Sequence, residues 1–272
     1  MDAALREHLG ISDAEPLTGG CIHRCYRVRR EGRALFLKVN HRPLADAFAA
    51  EADGLAALRD AGARAPDPLA YGSCGGSAYL LLEYLELGSS GDYASLGRML
   101  AGMHRRVGER HGWRRDNYIG PTPQANGACG SWQDFWRERR LEPQLELARR
   151  NGYRLDDVPV CLLLEGYEPA PSLVHGDLWN GNAGFVAGGA PVLFDPAVYY
   201  GDREVDLAMT ELFGGFPPEF YGAYNEAWPL SREYERRKPL YNLYHLLNHL
   251  NLFGGGYLEQ VRAALRLLAR AL

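Results

Sequence analysis

Apolar and polar positions alternate differently in the two parts of the chain. Residues 26–29 and 34–39 are short extended runs on either side of Glu31-Gly32 and predict a β-hairpin. Leu44, Phe48, Leu55 and Leu58 then fall at helical spacing ahead of the breakers Gly62 and Pro66, which predicts a helix over 44–58. Residues 78–82 form a continuous apolar run of strand length, followed by Gly88-Ser-Ser-Gly91, read as a linker. Beyond it the spacing turns helical, most clearly over 96–103, 132–149, 234–252 and 258–272. Two short strands, 172–174 and 192–194, lie among these helices, separated by an Asp-containing loop and a Gly188-Gly189 turn, and predict a hairpin. The expectation is an α+β, bilobal fold: a β-rich lobe over 1–87 and a mainly helical lobe over 88–272.

Composition narrows the function classes. The 272 residues are 46% apolar, enough for a sizeable core, which excludes a disordered or fibrous chain. A formal charge of −4 lacks the basic excess expected of a protein that binds nucleic acid or an anionic membrane. Met1 to Gly10 carries Asp2, Arg6 and Glu7 and no apolar run, so no signal peptide is expected, nor does any stretch have the length of a membrane span. Five cysteines without a CxxC pair argue against a disulfide framework and a zinc site, and point to the cytoplasm.

The chemistry concentrates in His175-Gly-Asp-Leu-Trp-Asn-Gly-Asn182, where an Asp is followed five residues later by an Asn, as in the kinase catalytic loop. Phosphoryl transfer needs a carboxylate near the attacking hydroxyl and Mg²⁺ against the phosphates of ATP. Asp177 fits the base and Asn182 a metal ligand. In isolation such a spacing is more often a pair of turn caps. A second motif, Val192-Leu-Phe-Asp-Pro-Ala197, removes that reading, because Asp195 leaves an apolar strand where a second metal ligand belongs. Pro196 and Gly176 stand where protein kinases carry a flexible Gly and an Arg that engages a phosphorylated loop, so a fixed active conformation is expected.

The small lobe supplies the nucleotide side. Lys38 ends the strand Ala34-Leu-Phe-Leu-Lys-Val39, and Glu51 shares a helical face with Phe48, Leu55 and Leu58, where a carboxylate needs a partner. Together they form the ion pair that orients the α- and β-phosphates. Gly19 and Gly20, within Thr18-Gly-Gly-Cys-Ile-His23, occupy the place of a phosphate-covering loop without the full GxGxxG spacing. Glu83-Tyr84-Leu85 is placed as the hinge that meets adenine through backbone groups. Asp206, which opens a helix after Gly201, is assigned to accept backbone N–H bonds from the catalytic loop. A polar and aromatic stripe, Tyr241, Tyr244, His245, Asn248 and Asn251, is read as a buried network, with an acceptor-lining role as the alternative.

On these motifs, with Phe36-Leu-Lys-Val-Asn40, Tyr200-Gly201, Phe213-Gly-Gly-Phe-Pro217, Leu243-Tyr-His-Leu-Leu-Asn-His249 and 116–126, the chain resembles the fructosamine kinase (ketosamine 3-kinase) family, relatives of the aminoglycoside and choline kinases. The resemblance runs from Gly19 almost to the C-terminus. It implies a protein-kinase-like fold and transfer of the ATP γ-phosphate to the O3 hydroxyl of a ketosamine, whose 3-phosphate then leaves with the sugar and frees the amine. In that frame Asp177 takes the O3 proton, Asn182 and Asp195 hold Mg²⁺, and Trp179 offers an apolar face to the sugar or, alternatively, closes the core beneath the loop.

Two rivals stand beside this reading: a kinase for an aminoglycoside or choline-like compound, which would want an acidic groove or an aromatic cage, and a non-catalytic binding module, which the complete set Lys38, Glu51, Asp177, Asn182 and Asp195 disfavours. Cys21, next to Gly20, is a candidate reactive thiol that would give a redox-sensitive dimer in place of a monomer.

Overall fold

The structure is a computed structural model that describes residues 1–17, 23–88 and 90–272. It begins with helix α1 (Ala3–His8) and strands β1 (Asp13–Leu17), β2 (Arg24–Arg30) and β3 (Arg33–His41). The β2–β3 hairpin turns at Glu31 and Gly32, whose φ angles of 51° and 76° are the paired left-handed values of a two-residue loop that matches strand twist. Helix α2 (Ala45–Asp60) follows, then β4 (Pro68–Cys74) and β5 (Ser77–Glu83). All five strands pair antiparallel in the order β1-β2-β3-β5-β4.

The period of two along β3 and β5 sorts their side chains between two cores. Leu35, Leu37, Val39, Tyr79 and Leu81 pack with Leu5, Leu9 and Ile11 of the α1 segment. Ala78, Leu80 and Leu82 face the other way, onto Phe48, Leu55 and Leu58 of α2. The unbroken apolar run at 78–82 is therefore a strand covered on both faces. Lys38 has the α2-facing parity.

The helical region opens with α3 (Tyr93–His104), capped where Asp92 accepts from Ser95 N at 2.8 Å. A short hairpin, β6 (Asn117–Ile119) and β7 (Thr122–Gln124), precedes α4 (Trp132–Trp136), a π-helical stretch Arg137–Leu141 and α5 (Glu142–Arg150). The expected single helix over 132–149 thus contains a local rewinding that turns Arg140 inward, fully buried, with its guanidinium 4.0 Å from the Tyr199 ring. The remaining elements are β8 (Ser172–Val174), β9 (Ala183–Phe185), β10 (Pro191–Leu193), β11 (Tyr199–Gly201), α6 (Glu204–Leu212), α7 (Pro218–Ala227), α8 (Tyr234–Phe253) and α9 (Leu258–Ala271). Helices α3 and α7 pack so closely that a Cβ on Gly97 would lie 2.3 Å from the Phe220 carbonyl oxygen.

The strand pairing expected in this region needs correction. Residues 172–174 and 191–193 do not pair with each other: β8 pairs with β11, and β10 pairs with β9 around Gly188-Gly189. The chain turns at Asp195, which has a left-handed φ of 56°, a conformation that Asp tolerates better than most residues. That turn brings β11 back onto β8, and the two motif loops are tied together, Ala197 N donating to the His175 carbonyl at 2.8 Å and Phe194 N to the Asn182 carbonyl at 3.1 Å. Among the described residues no helix is long and apolar enough to cross a membrane.

Candidate active site

The site lies where the sheet meets the loops that leave β8 and β10. Lys38 Nζ donates to Glu51 Oε1 at 2.7 Å and, in a very short contact, to Asp195 Oδ1. The lysine side chain is 6% exposed and that of Asp195 47%, so the ammonium is a buried bridge and Asp195 opens to the cleft. Burial opposes the lysine charge, but the two carboxylates outweigh it and hold its pKa above the ordinary range. Burial also pushes the Glu51 carboxyl up to about 7, against the pull of Lys38. Asp195 is held below the carboxylate range because Lys38 overcomes its desolvation.

Across this bridge, Asn182 Nδ2 donates to the Asp177 carbonyl at 2.8 Å and to Asp177 Oδ2 at 3.0 Å. Asp177 is half-buried on the cleft floor. Desolvation pushes its carboxyl up to about 7, with the Asp195 charge adding to the shift and the Asn182 bond opposing it. Because the Asn182 amide nitrogen is committed to Asp177, its Oδ1 is the atom left for another ligand. It and the second Asp195 oxygen are hard oxygen donors, the chemistry that suits Mg²⁺, an ion that commonly takes one or two protein ligands and fills its shell with water and phosphate.

The loop carrying Asp177 is held from below. Asp206, fully buried in the first turn of α6, accepts from His175 N at 2.6 Å and Gly176 N at 2.8 Å, as its place after Gly201 suggested. His104 Nε2 lies 3.0 Å from Asp206 and His104 Nδ1 lies 2.8 Å from the Tyr224 hydroxyl. Burial would raise the Asp206 carboxyl, but His104 and the loop N–H groups hold it low. Gly176 has φ 82°, and a Cβ there would sit 2.2 Å from the Ala197 carbonyl oxygen, so the two motif loops meet at a position only glycine fits. His104 carried no signal in the sequence, being a lone histidine at the end of an amphipathic helix.

The other residues singled out in the sequence lie around this site or away from it. Trp179 is 39% exposed and lies over Gly181, so its ring is not the core plug that was the alternative. The Glu83 carboxylate pairs with Arg64, and the Glu83 N–H donates to the Asp67 carbonyl at 2.9 Å. Leu85 follows β5 in irregular chain, and among the described residues no bond engages its N–H or carbonyl. The α8 stripe is largely a satisfied network: Tyr241 donates to Asp202, Tyr244 to Gln124, and Asn248 and Asn251 bond Gln144. His245 is the exception, fully buried with neither ring nitrogen bonded among the described residues. Gly19, Gly20 and Cys21 lie outside the described residues, as does Ser89 of the linker.

Comparison with known proteins bears directly on this site. The model of the family described as fructosamine kinase matches residues 1–271. A Synechocystis protein named "Probable ketoamine kinase" is 46% identical over 94% of this chain and 90% of its own. The rice chloroplastic protein-ribulosamine 3-kinase is 39% identical over 91% of this chain and 76% of its own. Among solved structures, one from Haemophilus somnus, given provisionally as a fructosamine-3-kinase, superposes with a TM-score of 0.90 at 30% identity, covering 97% of this chain and 95% of that one. An aminoglycoside phosphotransferase crystallised with ADP and hygromycin B superposes at 0.63 with 17% identity, over 98% and 97% of the two chains, a likeness of protein-kinase-like fold alone.

Proposed function

The chain belongs to the fructosamine kinase family, and from that premise we propose how its residues carry out ATP-dependent phosphorylation of the O3 hydroxyl of a ketosamine. The observation that carries the reading is the Lys38 bridge, which ties Glu51 on the sheet side to Asp195 on the loop side of a single cleft. Residues 1–87 act as the nucleotide lobe and 88–272 as the catalytic and acceptor lobe.

In this reading Lys38, kept charged and oriented by Glu51, binds the α- and β-phosphates. Asn182 Oδ1 and Asp195 would hold Mg²⁺, which when bound neutralises charge on the β- and γ-phosphates. Asp177 accepts the proton of the O3 hydroxyl as its oxygen bonds to the γ-phosphorus, and the bond to the β–γ bridging oxygen breaks to release ADP. A carboxyl near pKa 7 suits that task at neutral pH. Trp179 presents its exposed ring to the C–H face of the sugar. In the same reading the backbone of Glu83 and Leu85 meets the adenine, and Gly19 and Gly20, which lie outside the described residues, are assigned to the phosphates.

A panel of fructosamines, ribulosamines and erythrulosamines, incubated with ATP and Mg²⁺ and followed by ADP release, tests the reading. Turnover of at least one ketosamine, with Ser and Thr peptides and aminoglycosides left unphosphorylated, is expected. Robust peptide phosphorylation without any ketosamine turnover would overturn it.

A further inference from the structure

Helix α2 carries Glu51, and its other side is fastened to the helical region. Asp53 Oδ2 accepts from the Trp113 indole N–H at 2.7 Å, and Asp53 Oδ1 accepts from Arg114 Nε at 3.1 Å. Two turns earlier on the same side, Asp46 accepts from Arg115 Nη2 at 2.6 Å and from the Tyr118 hydroxyl at 3.2 Å. The two contacts differ in burial. The Asp53 side chain is 17% exposed and that of Asp46 64%, so the first contact is the protected one and the second is an exposed pair of small worth.

What Asp53 grips is not loose chain. Gly112 N donates to Tyr200 O at 2.8 Å and Tyr200 N to Gly112 O at 2.9 Å, and the Trp113 ring lies 5.3 Å from the Tyr200 ring. Tyr200 belongs to β11, which pairs with Leu173 of β8, two residues before His175. Gly54, next to Asp53, touches the opposite motif loop: a Cβ there would come within 3.0 Å of Pro196 Cγ. The helix bearing Glu51 is therefore joined to the strand pair that delivers Asp177 and rests on the residue that follows Asp195.

We propose that Asp53 and Trp113 are positioning residues for phosphoryl transfer: their hydrogen bond fixes α2 against the catalytic strands and so holds Glu51 on Lys38. In protein kinases the corresponding helix is positioned by a phosphorylated loop. Here a neutral indole donor and a mostly buried carboxylate do it permanently, without a modification. The inference rests on the reading of Lys38 and Glu51 given above, and the test separates the two.

Steady-state kinetics with varied ATP are measured for Glu51→Ala, Asp53→Ala, Asp53→Asn, Trp113→Phe and the double variant Glu51→Ala/Asp53→Ala. Asp53→Ala and Trp113→Phe should each raise KM for ATP about tenfold, with a smaller change in kcat and none in KM for the ketosamine, as expected of residues sharing one network. Asp53→Asn keeps an acceptor for the indole and should restore KM to within about threefold. In the Glu51→Ala background the Asp53→Ala penalty should vanish, a non-additivity that a purely stabilising contact would not give. If Glu51→Ala leaves KM for ATP unchanged, the reading of the ion pair fails. If Glu51→Ala raises it while Trp113→Phe, which keeps the ring on Tyr200, does not, the clamp alone is overturned. Trp113→Phe decides the matter should Asp53→Ala fail to fold.

Discussion

At the base of the helical region Glu204 meets Arg237 through two bonds of 2.7 Å, and Asp202 accepts from both the Tyr241 hydroxyl and Glu204 N. In the cleft one ammonium, Lys38, serves two carboxylates, and a third, Asp177, has a single side-chain donor. Both clusters are acidic, but the first is buried with its carboxylate oxygens bonded by the chain, while the second opens to the cleft at Asp195 and, among the described residues, is short of positive charge. A native protein rarely leaves buried carboxylates under-partnered without a reason. The shortage in the cleft matches what a magnesium nucleotide brings, whereas in the base cluster the carboxylate oxygens of Asp202 and Glu204 already have donors from the chain. Satisfaction of hydrogen bonds, more than burial or charge, separates the acid cluster proposed as catalytic from the one at the base.

Substitutions should divide along the same line. The largest effect is expected for Asp177→Asn, which removes the proton acceptor and should lower kcat about 10²- to 10⁴-fold with ATP binding nearly intact. A near-wild-type rate would remove Asp177 from the chemistry. Asp195→Ala should cost roughly 10²- to 10³-fold in rate and flatten the magnesium dependence of nucleotide binding, read by titrating Mg²⁺ against a fluorescent ATP analogue. An unchanged magnesium profile would contradict its assignment. On the structural side, Arg237→Ala leaves Glu204 buried without its cation and should lower unfolding free energy by about 3–5 kcal/mol in urea melts, with KM for ATP unaltered in the folded protein. A shifted KM would mean that the two clusters communicate.

The smallest expected effect concerns His245, whose unpaired ring is held neutral by burial, with its pKa lowered to about 3. The unfolded histidine binds its proton near pH 6.5, so between about pH 6.5 and 3 the unfolded state holds more protons than the folded one, and stability falls as pH falls through that window. His245→Phe should flatten this acid limb by about 2 kcal/mol at pH 5 while leaving stability at pH 8 within about 0.5 kcal/mol. An identical acid limb in the variant would show that His245 is not kept neutral.

The legible part of this molecule is the part with local signatures. The Glu31-Gly32 turn, the 172–174 strand, the helices at 234–252 and 258–272 and the pairing of Lys38 with Glu51 all follow from spacing, turn chemistry or parity. Strands β1 and β4 were missed because they are sheet edges that carry Pro16, Pro68 and Gly72, residues that demote a strand in sequence and are tolerated at an edge. The mistaken hairpin of 172–174 with 192–194 arose because strand partners depend on the turn at Asp195, whose left-handed backbone no apolar pattern reveals. His104 beneath Asp206 and Trp113 against Asp53 come from distant segments and have no local mark.

The π-helical stretch at Arg137–Leu141 constrains how this chain can change in length. Wider winding there sets α5 out of phase with α4, and in that register Arg140 reaches the Ala125 carbonyl and the Asn126 side chain, each at 2.7 Å. Losing one residue from the stretch would restore ordinary pitch but rotate every later position of the helix by about 100°, taking the buried Gln144 and Ala148 off the interior face. Residues added or lost after Arg150 rotate nothing that is already packed. Homologous chains should therefore differ in length beyond Arg150 far more freely than between Trp132 and Ala148, and the helix can serve as a fixed ruler when their sequences are aligned.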